Sequence, residues 1–598
     1  MPSSPVYTRL EQSQKQIRVL IIQPGQPEQP VRCAFDFISL KGIPIPPYET
    51  VSYAWGKAVF SEEIYVNDQV FKVAINAKNV LVAMRYPDRQ RIVWIDAICI
   101  DQGDLEDRNY CVQLMCEIYS NTCAGFVWLG EDDINAKQTF RALEEMYDEA
   151  RLQTKDFATF KETVWPQWWN VHRPPTSVKY NPEAMARMFE KSWFARLWVV
   201  QEAALAPDSI CHCGSSSIPL THLLRAAVWL YSQSKALPQP MVRTTLHGLA
   251  RAVHVASYAD SIFEVPFQAE TNLLWMMNTL RQYDVSMDQD HVYRLLGMYQ
   301  RFKPGLDALP AGIAPDYSRA VRDIYCDAAK LAMAELNSAD TLLYVCHRTT
   351  EEVKTNWLPT WIPQWQRKQD LEVDYFPLNH KGFHAGGPSC TVGSNVFMEG
   401  RLDVLSLEGF ILDEIHSVAP VFVASMLENA EGLLVWVKHI EDLVPGSDLD
   451  NGDLALTLIA SLSHARALMT QKQAQAGYAA IKHFMVEHGH LPRIKDNYQK
   501  PNASIAHAYL EALSRWSKNR CFFITCKGYI GIGPKVVRSD DVVVILQGCS
   551  VPLVLRHYLR SEASYFVVGQ AYVNGVMFGE GVVAHRARGR CDDIMHLV

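Results

Sequence analysis

Three short apolar runs, separated by two amphipathic helical patterns, dictate what the N-terminal part of this chain can fold into. Val51-Ser52-Tyr53-Ala54-Trp55-Gly56 reads as a short strand stopped by glycine. Ile92-Val93-Trp94-Ile95 and Phe126-Val127-Trp128-Leu129 are continuous apolar runs, the mark of strands buried on both faces. Between the first two, Asn76 offers an N-cap to a helix with Ala77, Val80, Leu81 and Met84 on one face. Between the last two, Val112, Met115, Cys116 and Tyr119 follow the i, i+3, i+4, i+7 spacing of a second helix. Strand–helix–strand–helix–strand requires right-handed crossovers and predicts an α/β domain built on a mainly parallel sheet with flanking helices.

The chain has 598 residues, more than one hydrophobic core can organise, so about three to four domains are expected. Residues 1–47 read as a polar lead, a strand over Ile17–Ile22 and a Pro-rich linker. The α/β block covers 48–206. Residues 207–519 are mainly helical, with a strand-rich insert near 390–423 and loops at 445–453 and 494–503. The prolines of Leu358-Pro359-Thr360-Trp361-Ile362-Pro363-Gln364-Trp365 forbid a helix there and predict an extended connection. Short β-branched and aromatic runs over 520–598 predict a small antiparallel β domain.

Composition removes several function classes. Lys and Arg number 57 against 65 Asp and Glu, a net charge of −8, which offers no broad basic field to nucleic acid. No run of about eighteen uncharged apolar residues predicts a membrane span, and the first residues lack a signal-peptide core. A cytoplasmic protein with 14 reduced cysteines is the expectation. Cys211-His212-Cys213 has no second pair at zinc-finger spacing and reads as a strand or turn beside Gly214, with no metal site. Gly528-Tyr529-Ile530-Gly531-Ile532-Gly533-Pro534 lies between β runs and predicts a hairpin or bulge instead of a phosphate loop.

Ligands of parallel α/β sheets bind at the carboxyl ends of the strands. That rule selects Ser52, Tyr53, Trp55 and Gly56 after the first run. After the second it selects Asp96, Cys99, Asp101 and Gln102, and after the third Gly130, Glu131 and Asp132. The same residue types also serve to cap helices and make turns. Farther along, Trp198 and Glu202 stand at i, i+4, so an indole wall would flank a carboxylate. A carboxylate so placed can act as a base or stabilise positive charge at a sugar carbon. Equally, Glu202 can pair with Arg196 or Arg108 merely to stabilise a helix.

Tyr48-Glu49-Thr50-Val51-Ser52-Tyr53-Ala54-Trp55-Gly56 resembles the opening block of the fungal heterokaryon-incompatibility (HET) domain. Trp94-Ile95-Asp96-Ala97-Ile98-Cys99-Ile100-Asp101-Gln102 is similar to its central block, with Asp101 where the family usually has Asn; Arg108 and Val127-Trp128-Leu129-Gly130 continue it. Arg196-Leu197-Trp198-Val199-Val200-Gln201-Glu202 resembles the third block. Downstream, Asp290-His291-Val292-Tyr293-Arg294, Pro315-Asp316-Tyr317-Ser318 and Gly569-Gln570-Ala571-Tyr572 resemble HET proteins of the heterokaryon-incompatibility protein 6 type, His291 standing where Arg is usual. The resemblance implies non-self recognition and programmed cell death, through self-association or another incompatibility protein as partner. HET domains are also remotely similar to TIR domains, which implies a TIR-like, flavodoxin-like sheet. It further implies NAD+ as a candidate substrate, with no cofactor required, Glu202, in a Trp-x-x-x-Glu pattern, as the catalytic residue, and Arg108, Arg196 and Trp198 as binding residues beside those at the strand ends.

Overall fold

The computed structural model describes residues 6–57, 59–131, 135–154, 176–233, 248–258, 272–303, 309–310, 312–355, 357–368, 383–387, 403–444, 451–463, 466–492, 501–558 and 563–598. The chain folds as two compact units, 1–271 with 275–321, and 272–274 with 322–598.

In the first unit the three apolar runs form strands β3 (Glu49–Tyr53), β6 (Arg91–Trp94) and β7 (Ala124–Trp128). β3 lies between the other two and runs parallel to both, as the crossover argument requires. Among the described residues the full sheet has nine strands, and it is mixed. β1 (Gln16–Ile22) runs antiparallel to β6 and to β2 (Arg32–Ser39), so the expected lead strand sits inside the sheet. β2 falls within the stretch read as a Pro-rich linker. Beyond it lie β4 (Glu62–Val66) and β5 (Gln69–Val73), a hairpin whose turn residues Asn67 and Asp68 both have positive φ. Those are the angles a twist-matched two-residue turn demands. At the other edge β8 (Ile210–Cys213) runs parallel to β7 and turns at Gly214, φ +54°, into β9 (Ser216–Pro219). Strand alternation buries Cys211 and Cys213 on one face and turns His212 to the other, where it stacks on Phe126 at 4.1 Å. The three side chains therefore do not converge on one point.

Helix α1 (Ile75–Met84) buries the four residues its spacing selects, Ala77, Val80, Leu81 and Met84. Asn76 is not its cap but lies in the first turn, where its side chain donates to Ala54 O at 2.9 Å. That bond ties the loop after β3 to the helix. Helix α2 (Leu105–Ser120) is capped by Asp104, whose carboxylate accepts from Glu106 N and Asp107 N. Its buried stripe is Cys111, Leu114, Met115, Ile118 and Tyr119, rotated from the expected one. Val112 instead lines a cavity, and the Cys116 thiol donates to Gly297 O at 3.4 Å.

The second unit contains helices over Ala430–Leu443, Asn451–Leu458, Gln471–His488 and Pro501–Trp516. Of the expected loops, 451–453 and 501–503 are helical, and 445–450 and 494–500 lie outside the described residues. The segment 358–365 is non-helical as expected, yet it is a run of turns that buries Trp361 and Trp365. Its sheet starts with β10 (Leu405–Val418), followed by β11 (Arg520–Thr525), β12 (Ile530–Pro534), β13 (Val542–Leu546), β14 (Leu553–His557), β15 (Ser564–Gln570), β16 (Tyr572–Val573) and β17 (Asp593–Leu597). All pairs are antiparallel except β15 with β17. Pairing of β10 with β13 closes β10, β13, β14, β15 and β17 into a ring and so removes their free edges.

The Gly528–Pro534 stretch is the expected hairpin, between β11 and β12. A Cβ on Gly531 would lie 2.5 Å from both Phe523 Cζ and the Tyr572 carbonyl oxygen. Because the carbonyl belongs to the neighbouring strand and cannot rotate away, Gly531→Ala is expected to destabilise this unit by about 1–3 kcal/mol, read as a lowered urea midpoint.

Candidate functional site

The loop ends after β3 and β6, one face of α2 and the segment 192–198 enclose a cavity of about 400 Å³ in the first unit. Its wall includes Trp55, Gly56, Asp96, Gln102, Arg108, Arg196 and Trp198 from the residues selected above, with Asp284, Asp290, Arg294 and Tyr317 added from later in the chain. Asp96 opens a single helical turn, Asp96–Cys99, directly after β6. Its carboxylate accepts from the Trp55 indole N–H at 3.0 and 3.1 Å and from Ala97 N at 2.7 Å. Gln102 closes that turn by donating to Asp96 O at 3.0 Å. Arg196 donates to Tyr53 O, and its Nη2 comes to 3.9 Å from Asp96 Oδ2. Burial raises the Asp96 pKa, against the pull of the Arg196 charge and the Trp55 hydrogen bond.

Behind this wall lies Glu202, in helix α3 (Trp198–Leu205), all eight residues of which are buried. Glu202 is 1% exposed. Ser52 Oγ donates to Glu202 Oε2 and itself accepts from the Trp193 indole N–H at 2.8 Å. Oε1 is buried without a hydrogen-bond partner among the described residues. Burial pushes the Glu202 pKa up to about 7; Arg196 opposes the shift, the Asp96 charge adds to it, and the Ser52 hydrogen bond and Arg294 oppose it. A carboxylate that titrates near neutrality beside a cavity is the property expected of a working acid or base.

Residues 48–202 match the family model described as heterokaryon incompatibility protein (HET), and 487–592 match the Het-6 beta-barrel domain. The chain is also 23% identical, over 90% of its length and 90% of the relative's, to heterokaryon incompatibility protein 6, OR allele, of Neurospora crassa. The chain is an HET-domain protein. No solved structure matches it with statistical significance.

Within the HET domain the selected residues separate into three groups. Trp55, Gly56, Asp96, Gln102, Arg108, Arg196 and Trp198 line the cavity. Ser52, Tyr53 and Glu202 are buried behind its wall. Cys99 and Asp101 are elsewhere: the buried Cys99 thiol accepts from Ile95 N at 3.4 Å, and Asp101 accepts from Gly103 N at 3.0 Å beside a separate cleft around Arg18. Of the third strand's residues, Gly130 O accepts from Gly214 N and Glu131 from Asn79 Nδ2, so both hold turns together, while Asp132 lies outside the described residues. Glu202 bonds to a hydroxyl and forms no ion pair with Arg196 or Arg108. Trp198 does line the cavity, but the Arg294 guanidinium sits 4.7 Å from its ring, so part of its π surface is already covered. The half-buried Trp55 is the other indole of the wall.

Asp290, Arg294 and Tyr317 carried no assigned role in the sequence. Arg294 Nη2 lies 2.6 Å from Asp290 Oδ2, and Tyr317 Oη donates to Asp290 Oδ1 at 2.6 Å. The i, i+4 spacing of Asp290 and Arg294 is the signal that could have found the pair. A larger cleft, about 880 Å³ between 135–145 and 179–185, is lined by side chains such as Arg141 and Glu145, which are exposed and pair with each other. It has no fully buried ionisable side chain in its wall, unlike the Asp96–Arg294 cavity.

Proposed function

We propose that this HET domain cleaves NAD+, with Glu202 as the catalytic residue, and that loss of NAD+ is how the protein triggers incompatibility-type cell death in the cytoplasm. One observation carries the reading: a buried carboxylate with an unpartnered oxygen stands one helical turn from Trp198, directly behind the wall of an arginine-lined cavity. The resemblance of Trp198–Glu202 to the TIR pattern supports it. In the reaction the bond between nicotinamide and ribose C1′ breaks, its electron pair leaving with nicotinamide. Water then adds at C1′ and releases one proton, giving ADP-ribose. Glu202, ionised, stabilises the positive charge that develops on the sugar. Trp55 and the exposed part of Trp198 face the planar ring.

The test is NAD+ turnover by the full chain, wild type against Glu202→Gln, across pH. Because the ionised carboxylate is the active form and its pKa is about 7, turnover should rise about tenfold from pH 6 to pH 8. No turnover in wild type, or equal turnover in the variant, would refute the proposal.

The full burial of Glu202 favours a second reading, a signalling module that acts by self-association or through another incompatibility protein. On that reading Glu202→Gln still kills cells, and substitutions on the surface of the second unit abolish killing.

A further inference from the structure

Three arginines line the cavity, and two of them are engaged. Arg294 is paired with Asp290 and stacked on Trp198. Arg196 donates to Tyr53 O and approaches Asp96. The third, Arg108, in the first turn of α2, has its guanidinium 4.3 Å over the ring of Tyr317. Its side chain makes no hydrogen bond or ion pair among the described residues, and its Nε is buried without a partner.

The cavity's carboxylates do not neutralise it. Asp290 serves Arg294 and Tyr317, Asp96 serves Trp55 and Ala97, and Asp284 has interactions of its own. A guanidinium held over an aromatic ring is restrained in place, and with Nε covered it offers the two terminal nitrogens of its planar fork. That is the geometry that binds phosphate oxygens in pairs. Tyr317 in turn is fixed from two sides, by its bond to Asp290 and by Asn109 Oδ1, which accepts from Tyr317 N at 3.0 Å.

We infer that Arg108 is the anion anchor of this cavity, holding a phosphate group of a nucleotide ligand. The inference rests on the nucleotide reading of the site and adds the residue that selects for phosphate. A ligand without phosphate leaves Arg108 bound only to water, so the discrimination is electrostatic and should weaken with salt.

Calorimetric titration of the full-length protein with ADP and with adenosine at low salt tests it, because neither probe contains nicotinamide. Wild type should bind ADP at least about tenfold more tightly than adenosine, the scale of one lost charge-assisted contact. In Arg108→Gln the two probes should bind within about twofold of each other. Arg108→Lys should keep part of the preference, having the charge without the flat fork. Arg108→Met keeps the stem over Tyr317 and replaces Gln if that variant does not fold.

Equal affinity of wild type for both probes, binding of neither, or a preference that survives in the neutral variants would each overturn the inference. The two proposals fail separately. An Arg108-dependent preference for ADP in a protein that turns over no NAD+ removes the enzymatic reading and leaves the anchor. NAD+ turnover with an unchanged KM in Arg108→Gln removes the anchor and leaves the enzyme.

Discussion

Glu202→Gln should stop NAD+ turnover and, at the same time, remove a pH dependence from the stability of the fold. The ordinary carboxyl pKa of 4.5 becomes about 7 in the folded protein. The folded state therefore binds this proton more tightly than the unfolded chain does. Between about pH 4.5 and 7 it holds more protons, so stability falls as pH rises through that window. The stabilisation is present in full below pH 4.5 and gone above pH 7, and a shift of this size corresponds to roughly 3 kcal/mol. Gln cannot titrate. Urea unfolding of the full chain at pH 5 and pH 8 should show wild type losing more stability over that interval than the variant, by roughly that amount. Parallel loss in both proteins would mean that Glu202 is not held in an ion-hostile site. The catalytic loss expected of the same variant, about a thousandfold, corresponds to ~4 kcal/mol of transition-state stabilisation. If the proposed reaction holds, stability at high pH and activity pull in opposite directions at one carboxyl group.

Asp290→Ala should be the most damaging single change in the cavity wall. Asp290 and Arg294 side chains are only 4% and 6% exposed, and they face each other at 2.6 Å. Removing the carboxylate leaves a largely buried guanidinium without its counter-charge, and breaking a buried pair in this way costs about 3–5 kcal/mol. It also takes the acceptor from Tyr317 and loosens the cation that covers Trp198. The double variant Asp290→Ala/Arg294→Met should recover most of the loss, because both charges are then gone. Unfolding midpoints of the two single variants and the double one decide it. A cost below about 1 kcal/mol for Asp290→Ala would place water at the guanidinium, and the buried-pair argument would fall.

Much of the sheet and part of the site could be read from neighbouring residues alone. The parallel trio β3, β6 and β7 and the buried face of α1 follow from apolar spacing, because side-chain direction along a strand or helix is a local property. Trp198 and Glu202 share a helix face for the same reason. β2 escaped because its burial does not alternate cleanly, and the β4–β5 hairpin because Asn67-Asp68 is a weaker turn signal than Asn-Gly. The buried stripe of α2 is rotated by one residue from the one its spacing predicts, because Val112 and Met115 line the cavity.

What the sequence by itself determined is the α/β core, the order of its strands in the chain, the presence of Trp55 and Asp96 at the strand ends and the i, i+4 spacing of Trp198 and Glu202. Only the tertiary structure decided that Glu202 meets Ser52 instead of an arginine, that Arg294 covers part of Trp198, and that Arg108 alone among the three arginines keeps an unshared charge. The physical reason is range. Periodicity is set by residues a few positions apart, whereas the pKa of a carboxylate or the partner of a guanidinium depends on distant groups brought together and on the water they exclude.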